Sequence, residues 1–195
     1  MPKRLGHTAI CLMALALALP TFADWSLDNT RSSLSFVTVK AGDVGEVHRF
    51  TELNGAVDAD GSANLVINLA SVDTLIPIRD ERMREILFQV IDFPTATMTV
   101  KVNLSEINNL ATAATIATSL SGQLTIKGRA SGIAAQVRIA KLSDNEILVA
   151  TTEPVIVSAR AVGLSEGVEK LREIAGLPSI SQAVPVSFLL LFIDD

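Results

Sequence analysis

Apolar and polar residues alternate along several segments of the chain, most regularly near its middle. Residues 97–104 place apolar side chains at every even position and polar side chains at every odd position, and residues 120–127 repeat the pattern. A period of two predicts β-strands that bury one face and expose the other. Further strands are predicted in shorter alternating or apolar runs: residues 34–38, 65–69, 133–139, 147–157 and 184–193.

Short turn signals separate these predicted strands. Asp60-Gly61 is expected to form a two-residue hairpin turn with positive φ at both residues, and Lys127-Gly128 and Asp144-Asn145 indicate two further reversals. Strands joined by short turns favour an antiparallel barrel or sandwich, and a closed barrel also removes exposed strand edges. The sequence therefore predicts a mainly β fold, a single antiparallel barrel of about eight strands.

Two segments have helical rather than alternating spacing. Apolar residues recur every three or four positions in residues 79–90 and again in residues 165–175. Each segment also carries oppositely charged residues four positions apart, Asp80–Arg84 and Glu166–Lys170, which we expect to pair on the helix surface. The barrel is therefore expected to carry two short helices.

The last predicted strand, residues 184–193, is apolar at both odd and even positions over most of its length. A strand that is apolar on both faces is expected to be buried on both. Two explanations are open at this point. Either the helix at residues 165–175 packs on its outer face, or this face forms a homodimer interface.

The first 23 residues have the three parts of a secretory signal peptide. Lys3 and Arg4 begin the chain, residues 9–19 form an apolar run, and Thr21-Phe22-Ala23 provides small residues for cleavage. The alternative is an uncleaved anchor, but the run is shorter than the roughly 20 apolar residues that span a bilayer. We predict a signal peptide at residues 1–23 and one exported domain at residues 24–195, with no stable membrane insertion after cleavage.

Charge and residue types narrow the chemistry. The chain has a net charge of −5, so a nucleic-acid partner is not expected. Its single cysteine, Cys11, lies in the signal peptide, and the exported domain keeps one histidine, His48. We therefore predict no metal site and no catalytic motif. A pair of carboxylates among the 21 acidic residues stays open as an acid–base alternative.

Composition bears on the barrel interior. Hydrophobic residues make up 49% of the chain but aromatic residues only 4%. A barrel of about eight strands is either filled by side chains or holds one ligand. An aliphatic lining suits a long hydrocarbon better than a polar metabolite, although composition alone favours a filled core.

Several motifs, taken in order, resemble the YceI-like family of polyisoprenoid-binding proteins. Gly122-Gln123-Leu124-Thr125-Ile126-Lys127-Gly128 is similar to the family's G-x-L-T-x-x-G hairpin. The resemblance extends over nearly all of residues 24–195 and also includes residues 25–28, 33–36, 50–57, 71–74, 79–80 and 93–94.

This resemblance implies a lipocalin-like barrel that works in the periplasm. It further implies a binding or carrier protein that holds an amphiphile with an isoprenoid or other long apolar tail, such as an isoprenoid quinone or a polyprenyl lipid. It implies no catalytic group, and it favours a homodimer. The alternatives are a ligand-free structural or interaction domain and an enzyme that acts on a bound amphiphile. Such an enzyme would need two carboxylates, or His48 and a carboxylate, to converge in the cavity.

Candidate ligand-binding residues are mostly apolar, and each could equally belong to a filled core. His48 could meet a polar head group or be an exposed strand residue. Arg160 could cap a head group or point to solvent, and Arg79-Asp80 could be an ion pair that caps a helix start or a ligand site. The apolar candidates are Phe36, Phe50, Leu65, Ile67, Leu69, Met83, Phe88, Met98, Val100, Leu124 and Ile126.

Overall fold

The structure, a computed structural model, describes residues 25–194. The predicted signal peptide at residues 1–23 and its cleavage site lie outside the described residues. Within them, the chain forms β1 (Trp25–Leu27), β2 (Ser33–Lys40), β3 (Val44–Phe50), β4 (Leu53–Val57), β5 (Ser62–Asn68), β6 (Val72–Asp73), β7 (Thr95–Lys101), β8 (Thr115–Ile126), β9 (Arg129–Ser143), β10 (Glu146–Thr151), β11 (Val155–Ser158) and β12 (Ala183–Asp194).

These segments close into an antiparallel barrel of eight strands, as predicted. Short breaks divide four of the eight into β1/β2, β3/β4, β5/β6 and β10/β11. The barrel closes through β12, which pairs with β1 and β2 on one side and with β10 and β11 on the other. The single strand predicted at residues 147–157 is thus two, because pairing is interrupted between Thr151 and Val155.

Three short α-helices accompany the barrel: α1 (Pro77–Arg82), α2 (Leu104–Asn108) and α3 (Ser165–Ile174). Helix α1 continues into a π-helical turn, Met83–Phe88, and the left-handed backbone of Gln89 (φ 53°) ends it. The two predicted helices are confirmed within two residues at each end. Helix α2 was not predicted, because Leu104 continues the alternation of β7 although it begins the helix. No helix in residues 25–194 is long and apolar enough to cross a membrane.

The prediction of ion pairs Asp80–Arg84 and Glu166–Lys170 on the two helices is wrong. Asp80 is buried and accepts a hydrogen bond from the Thr74 backbone N–H at 2.8 Å, so it does not reach Arg84. On α3, Lys170 lies 3.8 Å from Glu173 instead of pairing with Glu166. Spacing brings such residues near one another, but it does not select among competing partners.

One of the two hairpin turns differs from its prediction. Lys127 and Gly128 have φ values of 49° and 71°, so the β8–β9 reversal has positive φ at both central residues. At Asp60-Gly61 only the glycine has positive φ, at 82°. The expectation for Asp60 is therefore wrong.

The outer face of β12 is only partly buried, since Leu189 is exposed whereas Leu191 is buried beside the segment that follows β1. Leu191 is buried, its carbonyl accepts from the Asp28 backbone N–H, and its own N–H donates to Ser32 Oγ, both at 2.9 Å. Helix α3 lies elsewhere: a Cβ on Gly167 would stand 2.9 Å from Leu87 Cα, so α3 packs tightly on the π-helical turn. The proposed packing of this helix on β12 is wrong, and the homodimer remains a prediction.

Candidate functional site

The barrel encloses a cavity of about 470 Å³, within the range of small-molecule sites. Each of the eight strands contributes to its lining, and so do all three helices. Most lining side chains are aliphatic or aromatic. The polar ones are Thr38, Lys40, Glu46, His48, Asn64, Arg79, Arg82 and Ser181.

The structure brings twelve of the thirteen candidate residues together around this cavity. The lining includes His48 and all eleven apolar candidates: Phe36, Phe50, Leu65, Ile67, Leu69, Met83, Phe88, Met98, Val100, Leu124 and Ile126. Their contact with a ligand stays a prediction. Arg160 is exposed in the turn after β11, outside the lining. Strand β11 ends two residues before it, at Ser158.

One end of the barrel, the apolar end, is formed by Trp25, Val57, Leu104, Ile107 and Ile147, all of which line the cavity. The register of the strands brings them together, because Trp25 pairs with Val57 and with Asp194. Helix α2 adds Leu104 and Ile107. All but Leu104 are buried, so this end is packed with apolar side chains.

Polarity increases along the inner face of the β2–β3 hairpin. The first inward-facing cross-strand pair is Leu34 with Phe50, and the next is Phe36 with His48. The third pair is Thr38 with Glu46. Because alternate residues of a strand face the same side, the hairpin presents an apolar-to-charged gradient to the cavity.

We use the name neck for four polar residues at this end of the cavity lining: Lys40, Glu46, His48 and Arg79. Glu46 Oε2 lies 2.8 Å from Lys40 Nζ and 2.7 Å from Arg79 Nη1. The hydrogen bond from Lys40, reinforced by the charge of Arg79, holds the pKa of Glu46 below its usual value. The carboxylate is therefore ionised and shared by two cations.

Arg79 reaches the neck from the first turn of α1. Its Nη2 donates to the Thr74 carbonyl at 2.7 Å, and its Nη1 bonds Glu46. The predicted Arg79–Asp80 ion pair is therefore wrong, since Arg79 turns to the barrel strand. Asp80 instead accepts from Thr74, which precedes the N-cap residue Ile76, so it fixes the segment before α1 and caps no helical N–H.

His48 is only 3% exposed, so the reading of it as an exposed strand residue is wrong. Its ring meets the Phe36 ring edge-on, with centroids 5.3 Å apart. Burial lowers the pKa of His48 below 6.5, and the nearby charge of Arg79 lowers it further. The imidazole is thus held mainly neutral at pH 7.

Two polar atoms of the neck are buried without a hydrogen-bond partner: His48 Nδ1 and Arg79 Nε. Most buried polar groups in proteins are hydrogen-bonded. The signal that sequence reasoning missed was the alternation itself, since Glu46, His48 and Phe50 fall on one face of β3. Which residues faced them across the barrel could not be read from β3 alone.

An aliphatic rim, defined as Leu75, Ile76 and Ile78, lies beside the neck. All three side chains are exposed, and Ile76 and Ile78 also line the cavity. Leu75 has a left-handed backbone with φ 63°, and its N–H donates to Asp73 Oδ1 at 2.9 Å. The rim therefore extends the apolar lining to the protein surface.

No group of three or more His, Cys, Asp or Glu side chains in residues 25–194 could hold a metal ion. Glu46 and His48 both line the cavity. The Glu46 carboxylate bonds Lys40 and Arg79, and no hydrogen bond joins it to the His48 imidazole.

A closed antiparallel barrel around an apolar cavity with a charged opening defines the class of ligand-binding β-barrels. Within that class, the chain belongs to the YceI-like family, because the model of the YceI-like domain matches residues 25–192. The resemblance found in the sequence is thereby confirmed. A comparison with curated proteins found no match.

Solved structures share this fold. A polyisoprenoid binding domain from Saccharophagus degradans, described as implicated in plant cell wall breakdown, is 37% identical with a TM-score of 0.87, covering 89% of this chain and 100% of that one. BcnA from Burkholderia cenocepacia is 22% identical with a TM-score of 0.65, covering 85% and 98%. A YceI protein from Campylobacter jejuni is 17% identical with a TM-score of 0.56, covering 76% and 84%. The last two show the fold alone.

Proposed function

We propose that this protein is a binding and carrier protein that holds an amphiphile with an isoprenoid or other long apolar tail inside its barrel. The observation that carries the proposal is the cavity itself, which is apolar through most of its lining and charged at the neck. A tail would lie among the apolar residues and the polar end would lie at the neck. The polyisoprenoid binding domain that shares 37% identity with this chain supports the same class of ligand.

The energetics of tail burial are sufficient for a carrier. A chain that buries about 300 Å² of apolar surface gains roughly 7 kcal/mol, at about 25 cal/mol per Å². Part of that gain offsets the freedom lost on binding. The remainder is enough to withdraw a hydrocarbon from water without any catalytic group.

The proposed compartment is the periplasm, reached through cleavage of residues 1–23. An isoprenoid quinone or a polyprenyl lipid is the proposed cargo, and a homodimer is the proposed assembly. Intact mass of the protein from a periplasmic fraction tests the cleavage, and the expected N-terminus is Asp24. Retention of the full chain in the membrane fraction would contradict it.

Two other functions are less well supported by the geometry. An enzyme acting on the amphiphile would use a carboxylate with His48, and Glu46 is instead bound by Lys40 and Arg79. A ligand-free structural domain would fill its interior, whereas this barrel encloses about 470 Å³.

The test fills part of the cavity with a larger side chain on the inward face of β9. Ala135 is buried and lines the cavity on β9, whereas Ala134 is exposed beside it. Trp25 also lines the cavity and is the only tryptophan of the chain, so its fluorescence reports occupancy by geranylgeraniol. We expect Ala135→Phe to weaken binding by about tenfold or more, since the new ring occupies the tail's space.

Ala134→Phe is the matched control, because it adds the same ring to the outer face and should leave binding unchanged. Circular dichroism checks that both variants fold. Equal binding by Ala135→Phe and wild type, or absence of any geranylgeraniol binding by wild type, would overturn the proposed function.

A further inference from the structure

The neck contains two buried polar atoms that the protein leaves unsatisfied. His48 Nδ1 and Arg79 Nε have no hydrogen-bond partner, and His48 is almost wholly buried. Both residues line the cavity. Burying a polar atom without a partner is unfavourable, and both atoms belong to residues that line the cavity, so a ligand that supplied the missing partners would remove this cost.

The two side chains lie close together. Glu46 and His48 are alternate residues of β3, whose Cα atoms are about 7 Å apart. Arg79 Nη1 is bonded to Glu46 at 2.7 Å, which fixes the guanidinium beside the same stretch of strand. His48 and Arg79 therefore both lie next to Glu46, in the same part of the cavity lining.

Charge indicates which head group fits. The charged residues that line the cavity are Lys40, Arg79 and Arg82, which are basic, and Glu46, which is acidic. Glu46 is shared by Lys40 and Arg79, whereas Arg82 has neither an ion pair nor a hydrogen bond in the described part of the chain. The cavity is thus cationic in a chain whose net charge is −5, and this favours an anion.

We propose that the neck binds the head group of an acidic amphiphile through carboxylate or phosphate oxygens. One oxygen accepts from Arg79 Nε–H, and another accepts from His48 when the neutral imidazole carries its proton on Nδ1. Arg82 supplies the remaining positive charge. This inference rests on the proposed function, because it concerns the polar end of the same bound molecule.

The experiment compares three ligands with one C15 tail: farnesol, farnesoic acid and farnesyl phosphate. Each is titrated into the whole folded domain and followed by Trp25 fluorescence, and inorganic phosphate is titrated separately. We expect wild type to bind the acid and the phosphate at least about tenfold more tightly than farnesol, which corresponds to about 1.4 kcal/mol.

Three substitutions locate the effect. Arg79→Met, His48→Phe and Arg82→Met should each lower the ratio of acidic-ligand affinity to farnesol affinity toward one. Arg84→Met is the matched control, since Arg84 lies on the same helical segment but does not line the cavity. If Arg79→Met fails to fold, His48→Phe and Arg82→Met still test whether the neck prefers acidic ligands, because neither side chain has a hydrogen bond to lose.

The outcomes separate this inference from the proposed function. If farnesol and both acidic ligands bind equally, the carrier stands and the acidic head group is wrong. Inorganic phosphate binding as tightly as farnesyl phosphate would also overturn it, because the neck would then be a general anion site. If no C15 ligand binds, the proposed function itself fails.

Discussion

The two ends of the barrel are built differently. The apolar end packs Trp25, Val57, Ile107 and Ile147 against one another, with most of this surface buried. The neck instead shares one carboxylate between Lys40 and Arg79 and leaves buried nitrogens without partners. The difference predicts that the apolar end contributes more to stability, because the neck carries the cost of buried nitrogens without partners.

The largest expected effect comes from breaking the apolar end. Ile107→Ala removes a buried side chain of α2 that lines the cavity, so the free energy of unfolding should fall by about 3 kcal/mol. Urea denaturation measures it. Ile91→Ala is the control, because Ile91 is 94% exposed and its loss should cost less than about 0.5 kcal/mol. Equal losses of stability in Ile107→Ala and Ile91→Ala would contradict the proposed role of the apolar end.

The second-largest expected effect on stability comes from Asp80, a buried carboxylate beside the neck that has hydrogen-bond partners. Asp80→Ala leaves the Thr74 backbone N–H without its acceptor, so stability should fall by about 2 kcal/mol in urea denaturation. The exposed neighbour provides the control: Glu81→Ala should be nearly neutral. A neutral Asp80→Ala would show that this hydrogen bond is dispensable.

The smallest expected effect is a gain in stability rather than a loss. His48→Phe keeps a ring against Phe36 and removes a buried nitrogen without a partner, so stability at pH 7.5 should rise by about 1 kcal/mol. Thermal and urea denaturation at that pH provide the measurement. A loss of stability would show that the unpartnered nitrogen of His48 does not destabilise the folded protein.

The same variant tests pH dependence. The pKa of His48 is lower in the folded protein than its usual 6.5, so the unfolded chain takes up a proton first as the pH falls. His48 thus contributes stability above pH 6.5 that is lost as the pH falls from there through the folded-state pKa. Wild type should therefore lose stability as the pH falls below about 6.5, and His48→Phe should lose less. Parallel pH profiles would refute the assignment.

The fold was predictable where the local pattern is regular. Strands β7 and β8 alternate cleanly, and Gly128 in the turn between β8 and β9 takes the positive φ that glycine favours. The prediction failed where tertiary contacts override the pattern. Leu104 continues the alternation yet begins α2, and Leu191 of β12 bonds the segment after β1.

The site was predictable only in its apolar part. An alternating pattern identifies the inward side of each strand, which is why the eight apolar candidates on strands line the cavity. The other three, Leu69, Met83 and Phe88, lie in helical turns and also line it. The neck depends on contacts between distant parts of the chain, such as Glu46 with Arg79. Sequence spacing showed neither that contact nor the burial of His48.

Trp25 pairs with Asp194, so the strands that close the barrel are separated by nearly the whole described part of the chain. Long-range pairings of this kind slow folding. We therefore expect the ring to close around its cavity only after the local β8–β9 hairpin, whose strands are joined by a two-residue turn, has formed.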